Sequence, residues 1–276
     1  MALLESKGLT VRYGGLAANA DVDLKVEVGQ LVGLIGPNGA GKTTFIDAIT
    51  GFTAISSGGV SFDGRDLAGV TPDQRARLGL TRTFQSLELF EDLTVRENLL
   101  VAAERPTWWS FLLDLLKVRR PAAEWQRQVD DALAVMGLTE LANMLPSDLS
   151  HGQRKLVGVA RALAAKPKLL LLDEPAAGLD TAESQLLGAH LRDFLKTGTS
   201  IFLIDHDMGL VLNVCDYIYV LDFGRIIAEG TPAQVRADAA VVAAYLGESA
   251  GEMQAQAATT LSAARQAETA AAGEGE

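Results

Sequence analysis

Apolar and polar residues alternate over Leu9-Thr10-Val11-Arg12-Tyr13 and again over Val22-Asp23-Leu24-Lys25-Val26. That is the period of a strand with one face on a core and the other in water. Gly14-Gly15 lies between the two runs, so the opening predicts an antiparallel pair of half-exposed strands. The alternation then stops. Leu31-Val32-Gly33-Leu34-Ile35 is continuously apolar, the pattern of a strand covered on both faces. A glycine-rich turn from Gly36 to Gly41 leads into Lys42–Ile49, where the spacing is helical and Gly51 marks the stop.

From about Ser86 to Ala165 strand signals vanish. Apolar residues recur at three and four in Val95-Leu99, Leu112-Leu116, Val129-Leu133 and Leu156-Val159-Leu163, which predicts an inserted helical lobe. Buried strands return at Leu169–Leu172, Ile201–Ile204 and Tyr217–Leu221, one helix length apart, the βαβ rhythm of a parallel sheet. The expected organisation is one domain over 1–247. Its core spans 1–85 and 166–230, the helical lobe about 86–165, and a C-terminal helical extension 231–247. Residues 248–276, mostly Ala, Glu, Gln, Gly and Thr, read as a disordered or frayed tail.

Composition narrows the function classes. The 276 residues carry 24 Lys+Arg against 35 Asp+Glu, a net charge of −11, which disfavours a chain that wraps nucleic acid. No apolar run approaches the ~20 residues of a membrane-spanning helix, and Met1–Lys7 lacks the features of a secretory leader, so a cytosolic chain is expected. The single cysteine, Cys215, sits in an apolar segment and reads as a buried structural thiol.

Gly36-Pro37-Asn38-Gly39-Ala40-Gly41-Lys42-Thr43 fits G-x-x-x-x-G-K-[ST] between a buried strand and a helix. Backbone N–H groups of such a loop turn inward on a phosphate and Lys42 neutralises the outer charge. The helix N-terminus favours the anion, Thr43 offers a hydroxyl to Mg²⁺, and Thr44 reaches the innermost phosphate. Leu169–Leu172 ends in Asp173-Glu174. Asp173 is placed for the metal shell and Glu174 for the water that attacks the γ-phosphate. Leu149-Ser150-His151-Gly152-Gln153-Arg154-Lys155 opens a further helix, with Ser150 as N-cap and Gly152 leaving backbone bare for an anion.

That last segment resembles the signature motif of ABC ATPases, and the short interval from Ser150 to Asp173 is typical of that family. The resemblance covers roughly Leu3 to Gly247. It implies a RecA-like P-loop NTPase core of α/β class, with an antiparallel β subdomain and an inserted α-helical subdomain. By the same resemblance Tyr13 stacks on adenine, and Gln85 in Thr81-Arg82-Thr83-Phe84-Gln85 links metal and insertion. Ala177-Gly178-Leu179-Asp180 crosses the dimer interface, and His206 contacts the γ-phosphate. Ser150, Gly152 and Gln153 of one subunit would close on ATP held by the P-loop of another, a head-to-tail dimer around two ATP and Mg²⁺. The catalytic set is then Glu174, His206, Gln85 and Lys42, and the metal set Thr43, Gln85 and Asp173. One departure is His151, where many family members carry Gly; it is expected to be a surface residue.

Gly79–Gln85, Leu89–Leu100 and the ending Val242–Gly247 are similar to the ATPases of bacterial branched-chain amino acid importers. Urea and amide importers share that branch; an ATPase for lipid or lipopolysaccharide extraction is a second reading, and a nucleic-acid-processing ABC ATPase, which the acidic charge disfavours, is a third. The resemblance implies transmembrane permease subunits as partners and a substrate-binding protein acting indirectly. It implies no nucleic acid, a place on the cytoplasmic face of the membrane, and a second ATPase subunit that is either identical or paralogous. Leu89-Phe90, an apolar pair beside Gln85, is the candidate contact with a permease helix. Trp108, Trp109 and Phe111 are either core of the helical lobe or a partner surface.

Overall fold

The computed structural model describes residues 2–83, 89–103 and 122–245. Gln85, the Trp108, Trp109 and Phe111 cluster, and the tail 248–276 lie outside them.

β1 (Ala2–Tyr13) and β2 (Leu16–Glu27) form the expected antiparallel pair, with Tyr13 opposite Leu16 at the turn. β4 (Ser57–Phe62) and β5 (Arg65–Asp66) extend it to a four-stranded sheet of order β2-β1-β4-β5. The second sheet has six strands. β3 (Leu31–Ile35) lies between β8 (Ser200–Ile204) and β9 (Tyr217–Asp222), β7 (Leu169–Asp173) and β6 (Leu80–Arg82) follow beyond β8, and β10 (Arg225–Gly230) closes the other edge. All neighbours are parallel except β10, which hairpins back on β9. The described helices are α1 (Lys42–Thr50), α2 (Pro72–Arg77), α3 (Val95–Ala103), α4 (Ala122–Val135), α5 (His151–Ala164), α6 (Thr181–Leu195), α7 (Met208–Val214) and α8 (Pro232–Ala237).

The run of apolar residues in each central strand resolves into two faces. Val32, Leu34, Leu171, Phe202 and Ile204 pack with α1 and the antiparallel sheet. Leu31, Ile35, Leu170, Leu172, Ile201 and Leu203 pack with the helical lobe and with α6 and α7. Side chains on a strand alternate faces, so a strand between two layers must be apolar at every position. Phe45 of α1 meets Phe202 of β8 edge to face, with ring centres 6.3 Å apart. Cys215 is buried as expected, and burial pushes its thiol up, away from reactivity.

Arg75 fastens α1 to the antiparallel sheet. Its side chain is buried, and it donates from Nη1 to the carbonyls of Ala48 and Ile49 (2.9 and 2.8 Å), from Nη2 to Leu67 (3.0 Å) and from Nε to Val70 (2.9 Å). Ala48 and Ile49 lie in the last turn of α1, where carbonyls lack intrahelical donors and the helix dipole is negative. Arg75→Met keeps the volume and takes the donor from all four carbonyls, of which Ala48 and Leu67 keep a backbone amide (Gly51, 3.3 Å; Val70, 3.1 Å). It is expected to lower stability by at least about 3 kcal/mol, read as a lower urea midpoint. Arg75→Lys should recover only part, because an ammonium cannot span the four carbonyls as a planar fork does.

Candidate functional site

In an open parallel sheet, ligands bind beyond the carboxyl ends of the strands. Three loops gather there: the glycine-rich turn after β3, Asp173-Glu174 at the end of β7, and Asp205-His206-Asp207 after β8. A cleft of about 520 Å³ opens at this edge, within the usual size of a small-molecule site. Asn38–Thr44 and Glu174 line it, together with Leu16, Ala17, Ala18, Phe223 and Gly224.

The loop geometry follows from its glycines. Gly41 has φ 103°, and a Cβ there would stand 2.5 Å from the carbonyl oxygen of Ala18, so the N-cap of α1 accepts no other residue. Lys42 is buried, and its ammonium donates to the carbonyls of Gly36 (2.5 Å) and Pro37 (2.9 Å). The loop thus holds its own cation in place, and an arriving phosphate competes with these two carbonyls for the ammonium protons.

Asp173 is only 5% exposed, and its carboxylate accepts from Arg82 Nη2 at 2.8 Å. Arg82 reaches with Nη1 to Asp47 of α1 at 2.5 Å, so one guanidinium ties β6, β7 and α1 together. Burial pushes the Asp173 carboxyl up, and the Arg82 contact only partly reverses this. Among the described residues no cluster of three or more His, Cys, Asp or Glu could hold a metal. A Thr43 hydroxyl at the helix start and one strand-end carboxylate suit Mg²⁺, which takes one or two protein oxygens and completes its shell with water and phosphate.

Glu174 holds φ 49°, a left-handed conformation that a long side chain seldom adopts. Four hydrogen bonds fix its turn. The Glu174 amide donates to Ile204 O (2.8 Å), and the Ala176 amide donates to the buried Asp205 carboxylate (3.2 Å). Buried Lys155 of α5 donates to the carbonyls of Pro175 (3.4 Å) and Ala177. Strain of this kind persists only where the surroundings over-determine it. Asp205 also accepts from the Asp207 amide (3.0 Å), and Asp207 accepts from Ser184 Oγ (3.1 Å). Burial pushes the Asp205 carboxyl up and pulls the Lys155 ammonium down. His206 Nδ1 stands 3.8 Å from Glu174 Oε2 and 3.6 Å from Asp205 Oδ1, with the ring more than half exposed.

Other expected residues lie apart from the cleft lining. Tyr13 ends β1 with its ring half exposed and its hydroxyl 3.4 Å from that of Thr53. Ser150 caps α5: its Oγ accepts from the Gln153 amide (3.2 Å), while the Gln153 side chain accepts from the Ser150 amide (2.9 Å). Gln153 therefore spends its side-chain oxygen on the cap. Gly152 does not leave bare backbone on every side, because the Glu183 carboxylate of α6 fills the space a Cβ would take. Asp180 caps α6 through the Glu183 amide (2.8 Å), and His151 is exposed, with its imidazole beside Gly178. Of the apolar pair only Phe90 faces outward. Leu89 is buried in the helical lobe, where the amide of Asn98 pins the carbonyls of Phe90, Leu93 and Thr94 (3.1, 3.0 and 3.0 Å).

The sequence alone did not single out Arg82, Lys155 or Asp205. Arg82 and Lys155 stand inside motifs read for Gln85 and Ser150, and Asp205 is one acid among several near His206. Only the fold brings Arg82 to Asp173, and Lys155 and Asp205 to the turn that follows Glu174.

The family model described as ABC transporter matches residues 20–177, and one described as branched-chain amino acid ATP-binding cassette transporter matches residues 225–251. The high-affinity branched-chain amino acid transport ATP-binding protein BraF of Pseudomonas aeruginosa is 42% identical over 250 residues, 89% of this chain and 98% of that protein. LivG of Escherichia coli, of the same description, is 42% identical over 252 residues, 89% of this chain and 98% of that protein. The ADP conformation of MJ1267, an ATP-binding cassette of an ABC transporter, matches with a TM-score of 0.77 at 31% identity, covering 90% of this chain and 100% of that one. The phosphate loop, the strand-end acids and the capped α5 helix thus stand on a shared fold, and the chain belongs to the ABC transporter family as an ATP-binding and ATP-hydrolysing subunit.

Proposed function

We propose that this chain energises uptake of branched-chain amino acids through separate permease subunits, working as a head-to-tail pair of ATPase subunits with ATP between them. One observation carries the pairing. The P-loop and Glu174 share a cleft, whereas Ser150, Gly152, Gln153 and Asp180 do not line it. The Ser150 end of α5 carries a positive helix terminus without a phosphate loop of its own chain to complete, which suits it to a second subunit's nucleotide. Among the described residues no helix is long and apolar enough to cross a membrane, so the reading places the chain at the cytoplasmic face through its permease partners.

In this mechanism the amides of residues 38–44 and the Lys42 ammonium hold the phosphates, and Thr44 adds a hydroxyl. Thr43 and Asp173 would hold Mg²⁺, which supplies positive charge to the phosphate oxygens. Glu174 accepts the proton of the attacking water, His206 orders the γ-phosphate beside it, and Gln85, outside the described residues, would join metal and helical lobe. Charge spread over the transferring group is met by Lys42 and the facing α5 terminus. Hydrolysis removes the group that bridges the two subunits, so the closed pair loses its differential affinity and opens.

Phe90 is half exposed, with the Arg161 guanidinium 6.0 Å from its ring centre, and the next residue, Glu91, pairs with Arg154. Both arginines belong to α5, so a permease helix seated on Phe90 would press on the element that closes the second ATP site. In vesicles holding the assembled transporter, Phe90→Ala is expected to reduce labelled leucine uptake per ATP hydrolysed at least fivefold. An unchanged ratio would remove Phe90 from the coupling path. ATP-driven uptake that ignores leucine, isoleucine and valine would overturn the substrate assignment.

A further inference from the structure

The hairpin joining β9 to β10 has two central residues, Phe223 and Gly224, and both hold positive φ, 42° and 76°. That is type I′ geometry, which favours Asn-Gly or Asp-Gly and strains a bulky side chain. Phe223 is also 89% exposed, the most exposed large apolar side chain among the described residues. Folding gains nothing from an aromatic ring that is both strained and in water.

The position of the hairpin explains it. The Gly224 amide donates to Ala40 O of the phosphate loop (2.8 Å), and the Ala20 amide donates to Gly224 O (2.8 Å). A Cβ on Gly224 would meet Ala18 O at 2.5 Å, so the hairpin tip is locked against both the phosphate loop and β2. Phe223 is thereby held at the mouth of the cleft, which Leu16, 70% exposed, also lines. The polar wall of Asn38–Thr44 suits phosphates. The exposed apolar pair suits the flat, weakly polar end of the same ligand, its base.

We propose that Phe223 is a nucleobase-binding residue, its ring packing on the purine of a nucleotide whose phosphates lie in the Gly36–Thr43 loop. This rests on the nucleotide reading of the cleft. The strain at Phe223 is retained because no residue favoured in that turn offers an aromatic face.

Phe223→Asn in the full chain separates folding from binding, since asparagine suits the turn. Without nucleotide its Tm is expected to rise by about 2–4 °C. The Kd for ATP and for ADP is expected to weaken at least fivefold, about the low end for loss of one base–aromatic stack, while tripolyphosphate, which has no base, binds within twofold of wild type. An unchanged ATP Kd overturns the proposal. So does an equal loss for ATP and tripolyphosphate, which would mean that the turn acts on the phosphate loop, and so does a loss confined to ATP-dependent dimerisation, which would assign Phe223 to a second copy of the chain. Lys42→Ala is the control for the underlying reading: if it leaves both ATP and tripolyphosphate binding intact, the cleft is not the nucleotide site.

Discussion

Glu174→Gln is expected to slow ATP hydrolysis by about 10²–10⁴-fold without loss of ATP binding, and to leave an ATP-bound dimer that light scattering detects in the presence of Mg²⁺. The amide has the shape of the carboxylate but takes up no proton, so the attacking water loses its base. The turn should survive, because its tethers run through backbone groups: Glu174 N to Ile204 O and Ala176 N to Asp205. The phosphate loop does not contact residue 174 through any bond that glutamine removes, so the cleft still fills. A variant that hydrolyses ATP at the wild-type rate would take Glu174 out of the reaction. A variant that binds ATP and stays monomeric would keep Glu174 and assign the facing α5 terminus to a different ATPase subunit.

Local patterns made much of the site readable. The phosphate loop announces itself through spacing alone, since a buried strand, two glycines at a fixed interval and a Lys-Thr pair must be contiguous for the backbone to wrap an anion. The two acids after Leu169–Leu172 are as local, and so is the Ser150 cap, whose partner is three residues away. What sequence did not reveal depends on separation along the chain. Arg82 meets Asp173 across 91 residues and Ala176 meets Asp205 across 29, both through strand neighbours that no periodicity specifies. β4, β5, β6 and β10 are short or at sheet edges, where two to six residues give too little alternation to register. The Phe223 hairpin was hidden for the opposite reason: the residue there is the wrong one for its turn, so turn chemistry argued against the geometry that the cleft imposes.

Lys155→Met should lower kcat by about 10²-fold while leaving KM for ATP near wild type. The methionine replaces the buried stem and removes the amine that holds the Pro175 and Ala177 carbonyls. Those carbonyls flank the left-handed Glu174, and a catalytic group released by even 1 Å commonly costs that much rate. The phosphate loop lies on another strand end and is not touched, which is why binding should be spared. Stability should fall by only about 1–3 kcal/mol, the range for unpaired buried acceptors, so assays well below the melting transition separate the two effects. A lower Tm with unchanged kcat would make Lys155 a packing residue. Asp205→Asn weakens the same turn from the β8 side, and two tethers on one turn should not act independently. The double variant should therefore cost less than the product of the single losses, whereas strictly multiplicative losses would mean that α5 and the His206 loop reach Glu174 by separate routes.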